Sequence, residues 1–387
     1  MTSFEDRLET ALAAVRTRGQ WRETRPAALA PGGRIARGGR TFIDFSSNDY
    51  LGLSGHPLLA ERAGEWAARL GAGAGASRLV TGTLDAHLAL EARLAAFKGA
   101  EAALLFASGW QANATVIPTL LAAAPGTAVF TDRLIHASMH AGCAAAGARQ
   151  HRFRHNDLAH LAELLETHGK AAPARLILVE SVYSMDGDRA DIPGLAALAL
   201  RHDAFLYVDE AHATGVLGPQ GKGLCAGVAG VGLVMGTFSK AFGGFGAYVA
   251  GSAALRDWLV NAASGFIFST APPPAVLGAI DAALDLVPGM EAERAHLAAL
   301  AERLRTGLAA QGLDTGGSTS QIVPAIIGAE EAALAASARL AEAGLLAAAI
   351  RPPTVARGTS RLRIALRAAH TGDDVDTLLG ALHGALR

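Results

Sequence analysis

Between about residue 100 and residue 251 the chain alternates short apolar runs with amphipathic stretches, and this alternation constrains its fold more than any other feature. Ala102–Ala107, Thr127–Thr131, Arg175–Val179, Phe205–Val208, Leu233–Thr237 and Ala247–Gly251 read as buried strands. Gln111–Ala123, Ala137–Ala146 and Leu195–Arg201 read as helices between them. Strands that lack a polar face and are separated by helices require a mostly parallel sheet covered on both sides. Such a sheet places ligands at the carboxyl ends of its strands.

The rhythm changes after Pro272–Pro274. A helical stretch over 275–310 leads to a strand at Ile322–Ile327, a helix at Glu330–Glu342, strands at Ala347–Arg351 and Leu362–Leu366, and a last helix after Asp373. That pattern predicts a second, α+β unit. Near the N-terminus Phe4, Leu8, Leu12 and Val15 mark a short amphipathic helix within residues 3–20, and Thr41–Ser46 reads as a strand. The expected division is an N-terminal segment over 1–45, a large domain over 46–280 and a small domain over 281–387.

Composition narrows the function. A net charge of −1 gives no electrostatic case for nucleic acid or an anionic membrane as partner. The basic cluster Arg149–Arg154 is short and fits a solvated strand face. The two cysteines, Cys143 and Cys225, have neither CxxC nor Cys/His spacing, so neither a metal site nor a disulfide scaffold is expected. The polar start is unlike a signal peptide, and no apolar run is long enough to span a bilayer. A reducing cytoplasm is the expected location.

Four segments carry chemistry. In Gly236-Thr-Phe-Ser-Lys-Ala-Phe-Gly-Gly244, Lys240 follows an apolar strand among small residues and two phenylalanines. A lysine at a strand end is more often a surface residue, but an imine-forming lysine needs such an apolar setting to free its amine. In Leu206-Tyr-Val-Asp-Glu-Ala-His-Ala-Thr-Gly215, Asp209 ends a strand where a carboxylate needs a partner. An N-cap would satisfy it, and so would a protonated pyridine nitrogen. His212 follows three residues later and can point into the same crevice. Ser108-Gly-Trp-Gln-Ala-Asn113 opens a helix and offers free N–H groups to a phosphate. His136 stands at another strand-to-helix junction, where a helix-start role is the commoner one.

Taken together, these segments resemble the fold-type I pyridoxal 5′-phosphate (PLP) enzymes and, within them, the α-oxoamine synthases. The resemblance runs from about Asn48 to the C-terminus. Ser46-Ser-Asn-Asp-Tyr-Leu-Gly-Leu53 and Glu180-Ser-Val-Tyr-Ser-Met-Asp-Gly-Asp188 narrow it. The family implies a mostly parallel seven-stranded sheet flanked by helices, a smaller C-terminal α+β domain, and a PLP-dependent acyltransferase. By family motif Lys240 is the Schiff-base lysine and proton shuttle, and His136 stacks on the pyridine ring and donates to substrate oxygens. Asp209 pairs with the ring nitrogen, and His212 meets the ring oxygen, helped by Ser184. Ser108, Gly109, Trp110 and Thr237 bind the phosphate. Family enzymes are homodimers with shared sites, so Ser269 and Thr270 are expected to reach the partner subunit's phosphate.

For substrates, the segment Ile350-Arg-Pro-Pro-Thr-Val355 is similar to the family member that condenses L-alanine with pimeloyl-CoA or a pimeloyl-acyl carrier protein. The proline usual after Thr-Val is Ala356 here, and the one usual after Ala190 is delayed to Pro193. The resemblance makes Arg351 the anchor of the amino acid's carboxylate, as an Arg–carboxylate fork commonly is. Asn48 and Thr354 join it as substrate-binding residues, and Arg22 is placed against the distal carboxylate of the acyl group. Glycine C-acetyltransferase is the alternative enzyme, and a non-catalytic PLP-binding protein the alternative outside catalysis.

Overall fold

The apolar runs form one seven-stranded sheet, which the computed structural model describes within residues 3–385. Its strands are β4 (Ala102–Phe106), β5 (Ala128–Asp132), β6 (Gln150–Phe153), β7 (Arg175–Glu180), β8 (Ala204–Asp209), β9 (Val231–Thr237) and β10 (Ala247–Gly251). They lie in the order β4-β10-β9-β8-β7-β5-β6, and only β10 runs against its neighbours. β4, β5 and the last five residues of β7 are buried throughout, because helices cover both faces. The carboxyl ends of β4, β5, β7, β8 and β9 therefore open on one side. Among the described residues no helix is long and apolar enough to cross a membrane.

The two chain ends build the rest. β1 (Ala28–Ala30), β2 (Arg34–Arg37) and β3 (Arg40–Asp44) form an antiparallel ribbon, and β12 (Leu345–Leu346) joins β3 in parallel. β11 (Ile322–Gly328), β14 (Ser360–Ala365) and β13 (Ala348–Ile350) make a three-stranded antiparallel sheet. The Ala365 N–H donates to the Phe45 carbonyl at 2.8 Å, that of Ala368 to Tyr50 at 2.7 Å, and Arg367 pairs with Asp49 at 2.6 Å. The N-terminal segment is thus stitched to residues far along the chain, and the expected division at residue 45 falls inside this seam. The helical stretch expected over 275–310 is two helices, Pro274–Leu286 and Glu291–Ala310. Pro288 and Gly289 interrupt it, since proline lacks the N–H that would continue the ladder.

Residues 182–189 turn back on themselves through a Val182–Arg189 bridge. Gly187 sits at φ +70° with a Cβ position only 1.9 Å from the Ile322 carbonyl oxygen, so a side chain has no room there. His155 clasps this turn to β5. Its Nδ1 lies 2.9 Å from Asp132 Oδ1 and its Nε2 2.7 Å from Asp188 Oδ2. Burial alone would lower the imidazole pKa, but the two carboxylates outweigh it and raise it to about 10.

Candidate active site

Sharp strand-to-helix turns deliver the polar groups. Ser108 is extended (φ −161°) and caps the helix Gly109–Ala123, its Oγ accepting the Gln111 N–H at 3.1 Å. The first-turn N–H groups of Gly109 and Trp110 stay free and face the opening, at the positive end of fifteen residues of helix. His136 caps the helix Ala137–Ala145 in the same manner. Gly243 holds φ +63°, and a Cβ there would meet the Leu53 carbonyl carbon at 2.3 Å. The lysine loop therefore packs directly on the N-terminal segment.

These groups line a crevice of about 220 Å³, formed by Ser108, Gly109, Trp110, His136, Asp209, His212, Thr237 and Lys240 with Asn113, Ser138 and Glu180 among others. His136 also borders an outer cleft of about 680 Å³ with Ser184, Asp186, Thr354 and Arg361. Lys240 makes no hydrogen bond or salt bridge among the described residues. Burial pushes its ammonium pKa down, Asp209 and Glu180 oppose this, and Arg363 adds to it. Burial also drives His212 well below its usual value and lowers His136, so both rings are neutral near pH 7. The Glu180 carboxyl is pushed well above the carboxylate range, first by burial and then by Asp209, and its Oε1 has no partner.

Asp209 Oδ1 accepts the Ala211 N–H and Oδ2 the Asn113 amide, both at 2.9 Å. His212 Nδ1 lies 2.6 Å from the Tyr50 hydroxyl, which also reaches Asn48 at 3.1 Å. Arg363 Nη2 donates to the same Asn48 oxygen at 3.1 Å, and its Nε to the Ser184 carbonyl at 2.6 Å.

Several expected residues lie elsewhere. Ser184 and Thr354 line the outer cleft and not the inner crevice. Arg351 borders neither cavity; its guanidinium donates to the Gly19 carbonyl. The buried arginine beside Lys240 is Arg363, which the sequence alone does not single out from Arg361 two residues before. Arg22 is exposed. Ser269 accepts from Gln111 Nε2 at 2.9 Å, and Thr270 lines a small separate cavity beside the exposed Phe245. Glu180, Asn113, Ser138 and Tyr50 were missed as site residues; each lay within or beside a quoted motif, but only the folded chain brings the first three to the crevice and Tyr50 against His212.

The aminotransferase class I and II profile matches residues 40–382. The chain belongs to this family. An 8-amino-7-oxononanoate synthase of Gluconacetobacter diazotrophicus is 59% identical over 392 residues, covering all of this chain and 98% of its own length. A solved serine palmitoyltransferase from S. paucimobilis with bound PLP–myriocin is 30% identical with a TM-score of 0.92, over 99% of this chain and 98% of that one. A solved 8-amino-7-oxononanoate synthase from Francisella tularensis is 27% identical with a TM-score of 0.78, over 89% and 97%. The family, the PLP fold type I and the resemblance to α-oxoamine synthases are borne out. The crevice fits PLP: a free, half-buried amine, helix-start N–H groups and a buried carboxylate line one space, as an aldehyde, a phosphate and a ring nitrogen require.

Proposed function

We propose that the chain condenses L-alanine with a pimeloyl thioester, releasing CO₂ and the thiol to give 8-amino-7-oxononanoate. The full-length relative at 59% identity carries this reading, since it bears that activity's name. PLP held in the crevice supplies an electron sink for negative charge at the alanine Cα. Lys240 would hold the cofactor through Nζ and, as a free amine, would take the Cα proton there; burial lowers its pKa and so favours the unprotonated nitrogen this needs. Asp209 would keep a proton on the pyridine nitrogen, and His212 would hydrogen-bond the ring oxygen. Ser108, Gly109, Trp110 and Thr237 hold the phosphate. A C–C bond forms from Cα to the thioester carbonyl as the C–S bond breaks; the Cα–carboxyl bond then breaks, and a proton takes its place. His136 donates to the thioester oxygen, from the boundary between the two cavities.

The outer cleft suits the acyl chain, with Thr354 and Ser184 on its wall. We place the amino acid's carboxylate against Arg363 and Asn48, with Arg351 as a second anchor on a loop at the rim and Arg22 nearer the acyl end. The domain division of 46–280 and 281–387 remains our working description, as does a cytoplasmic homodimer in which Ser269 and Thr270 serve the partner's phosphate. The decisive assay compares alanine plus pimeloyl-CoA or pimeloyl-acyl carrier protein with glycine plus acetyl-CoA and serine plus palmitoyl-CoA. Turnover of the alanine–pimeloyl pair is expected to lead. Preference for the glycine pair would move the chain to glycine C-acetyltransferase, and no turnover with any pair would leave a PLP-binding protein.

A further inference from the structure

Behind His136 the crevice wall is a hydrogen-bond relay that none of the roles above uses. Asn113 is 1% exposed; its Nδ2 donates to Asp209 Oδ2 and to Ser138 Oγ, each at 2.9 Å, while its Oδ1 accepts the Tyr207 hydroxyl at 2.6 Å. Ser138 is fully buried, with Oγ 2.7 Å from His136 Nδ1, and its backbone N–H donates to that same nitrogen at 3.3 Å. A carboxylate only accepts, so the Asn113 amine faces Asp209 and its oxygen faces Tyr207. The Ser138 backbone N–H can only donate, so Nδ1 is an acceptor, and the Ser138 O–H then donates to the same nitrogen. Two donors on Nδ1 exclude a proton from it, and the neutral ring must carry its proton on Nε2.

We propose that Asn113 and Ser138 are positioning residues that hold His136 as its Nε2–H tautomer, so that it meets the acyl substrate as a hydrogen-bond donor. The inference rests on reading His136 as the group that faces the thioester oxygen. A donor already aimed at the place where negative charge develops needs no rearrangement during the reaction. The same Asn113 amide grips Asp209, so one side chain orients both the carboxylate under the cofactor's place and the imidazole beside it.

The test is nitrogen NMR of holoenzyme labelled with ¹⁵N-histidine, with His136 assigned by loss of its signals in His136→Gln. The expected result is a neutral ring with Nε2 protonated and Nδ1 bare. Ser138→Ala should let the other tautomer appear and lower kcat by about tenfold to a hundredfold, the scale of a misplaced reacting group, with the alanine KM little changed. Ser138→Thr should restore both the tautomer and kcat. Asn113→Leu should act like Ser138→Ala, and the serine variants keep the test open if Asn113→Leu fails to fold. An Nδ1-protonated ring in the wild-type protein would overturn the proposal, as would wild-type kcat in Ser138→Ala. If the alanine–pimeloyl assay fails while the tautomer stands, the proposed reaction is wrong and the relay is not.

Discussion

Phe238 and Phe242 are wholly buried around Lys240, and their apolar bulk favours the neutral amine there. No other lysine has that setting: Lys98 is locked to Glu210 at 2.7 Å. Lys240→Ala should abolish turnover and leave the fold intact, and borohydride reduction of the holoenzyme should fix the cofactor on residue 240. Label on Lys98 or Lys222 would refute the assignment. Asp209→Asn should slow exchange of the alanine α-proton in D₂O by about 3 kcal/mol of lost electrostatic stabilisation. Exchange at the wild-type rate would make Asp209 structural. The two arginines can be ranked by saturation curves. Arg363→Lys keeps charge but loses the fork, and should raise the alanine KM more than Arg351→Ala does, because Arg363 is buried beside Lys240 and Asn48. The reverse order would return the carboxylate to Arg351.

The turn at 182–189 forms one wall of the outer cleft, and His155 helps to hold it together with the Arg361–Asp186 ion pair and the Arg363–Ser184 hydrogen bond. Removing His155 would leave the Asp132 and Asp188 carboxylates facing each other without a cation. His155→Ala should therefore lower stability by about 3 kcal/mol in urea titration. Because the folded pKa is raised, the stabilisation is complete below the ordinary value of 6.5 and is lost as pH rises through about 10. A wild-type protein equally stable at pH 7 and pH 10.5 would contradict the clasp. At this scale the sequence was legible wherever one element buries itself: the apolar runs of β4, β5, β7 and β8 announce a covered sheet. The helices Pro57–Leu70 and Asp85–Lys98 went unread, as did β1 and β2, strands of three and four residues with no buried position. Among site residues, Lys240, Asp209, His136 and His212 were legible because each stands in a local motif at the carboxyl end of a strand, and the parallel sheet brings those ends to one crevice. Arg363 and Asn48 meet only through tertiary packing, 315 positions apart in sequence, so no local pattern pairs them.

Phe268, Phe245 and Trp110 stand 86%, 57% and 54% exposed beside the segment that carries Ser269 and Thr270. A second copy covering them would bring those hydroxyls to a neighbouring phosphate. Mixing Lys240→Ala with a Ser269→Ala/Thr270→Ala double variant should then rebuild one intact site in each hybrid dimer, giving about a quarter of wild-type activity from random exchange. Activity no greater than the sum of the two parents would place both hydroxyls outside the partner's site. The seam between the chain ends has a consequence for synthesis. Asn48 and Tyr50 leave the ribosome early, yet Ala365, Arg367 and Ala368, which hold this segment, come more than 300 residues later. At ribosomal speed that is a wait of roughly 15–60 s. Throughout it the nascent chain can complete its large sheet, from β4 to β10, but not the contact between Asn48 and Arg363. The catalyst is assembled only when its last strand is released.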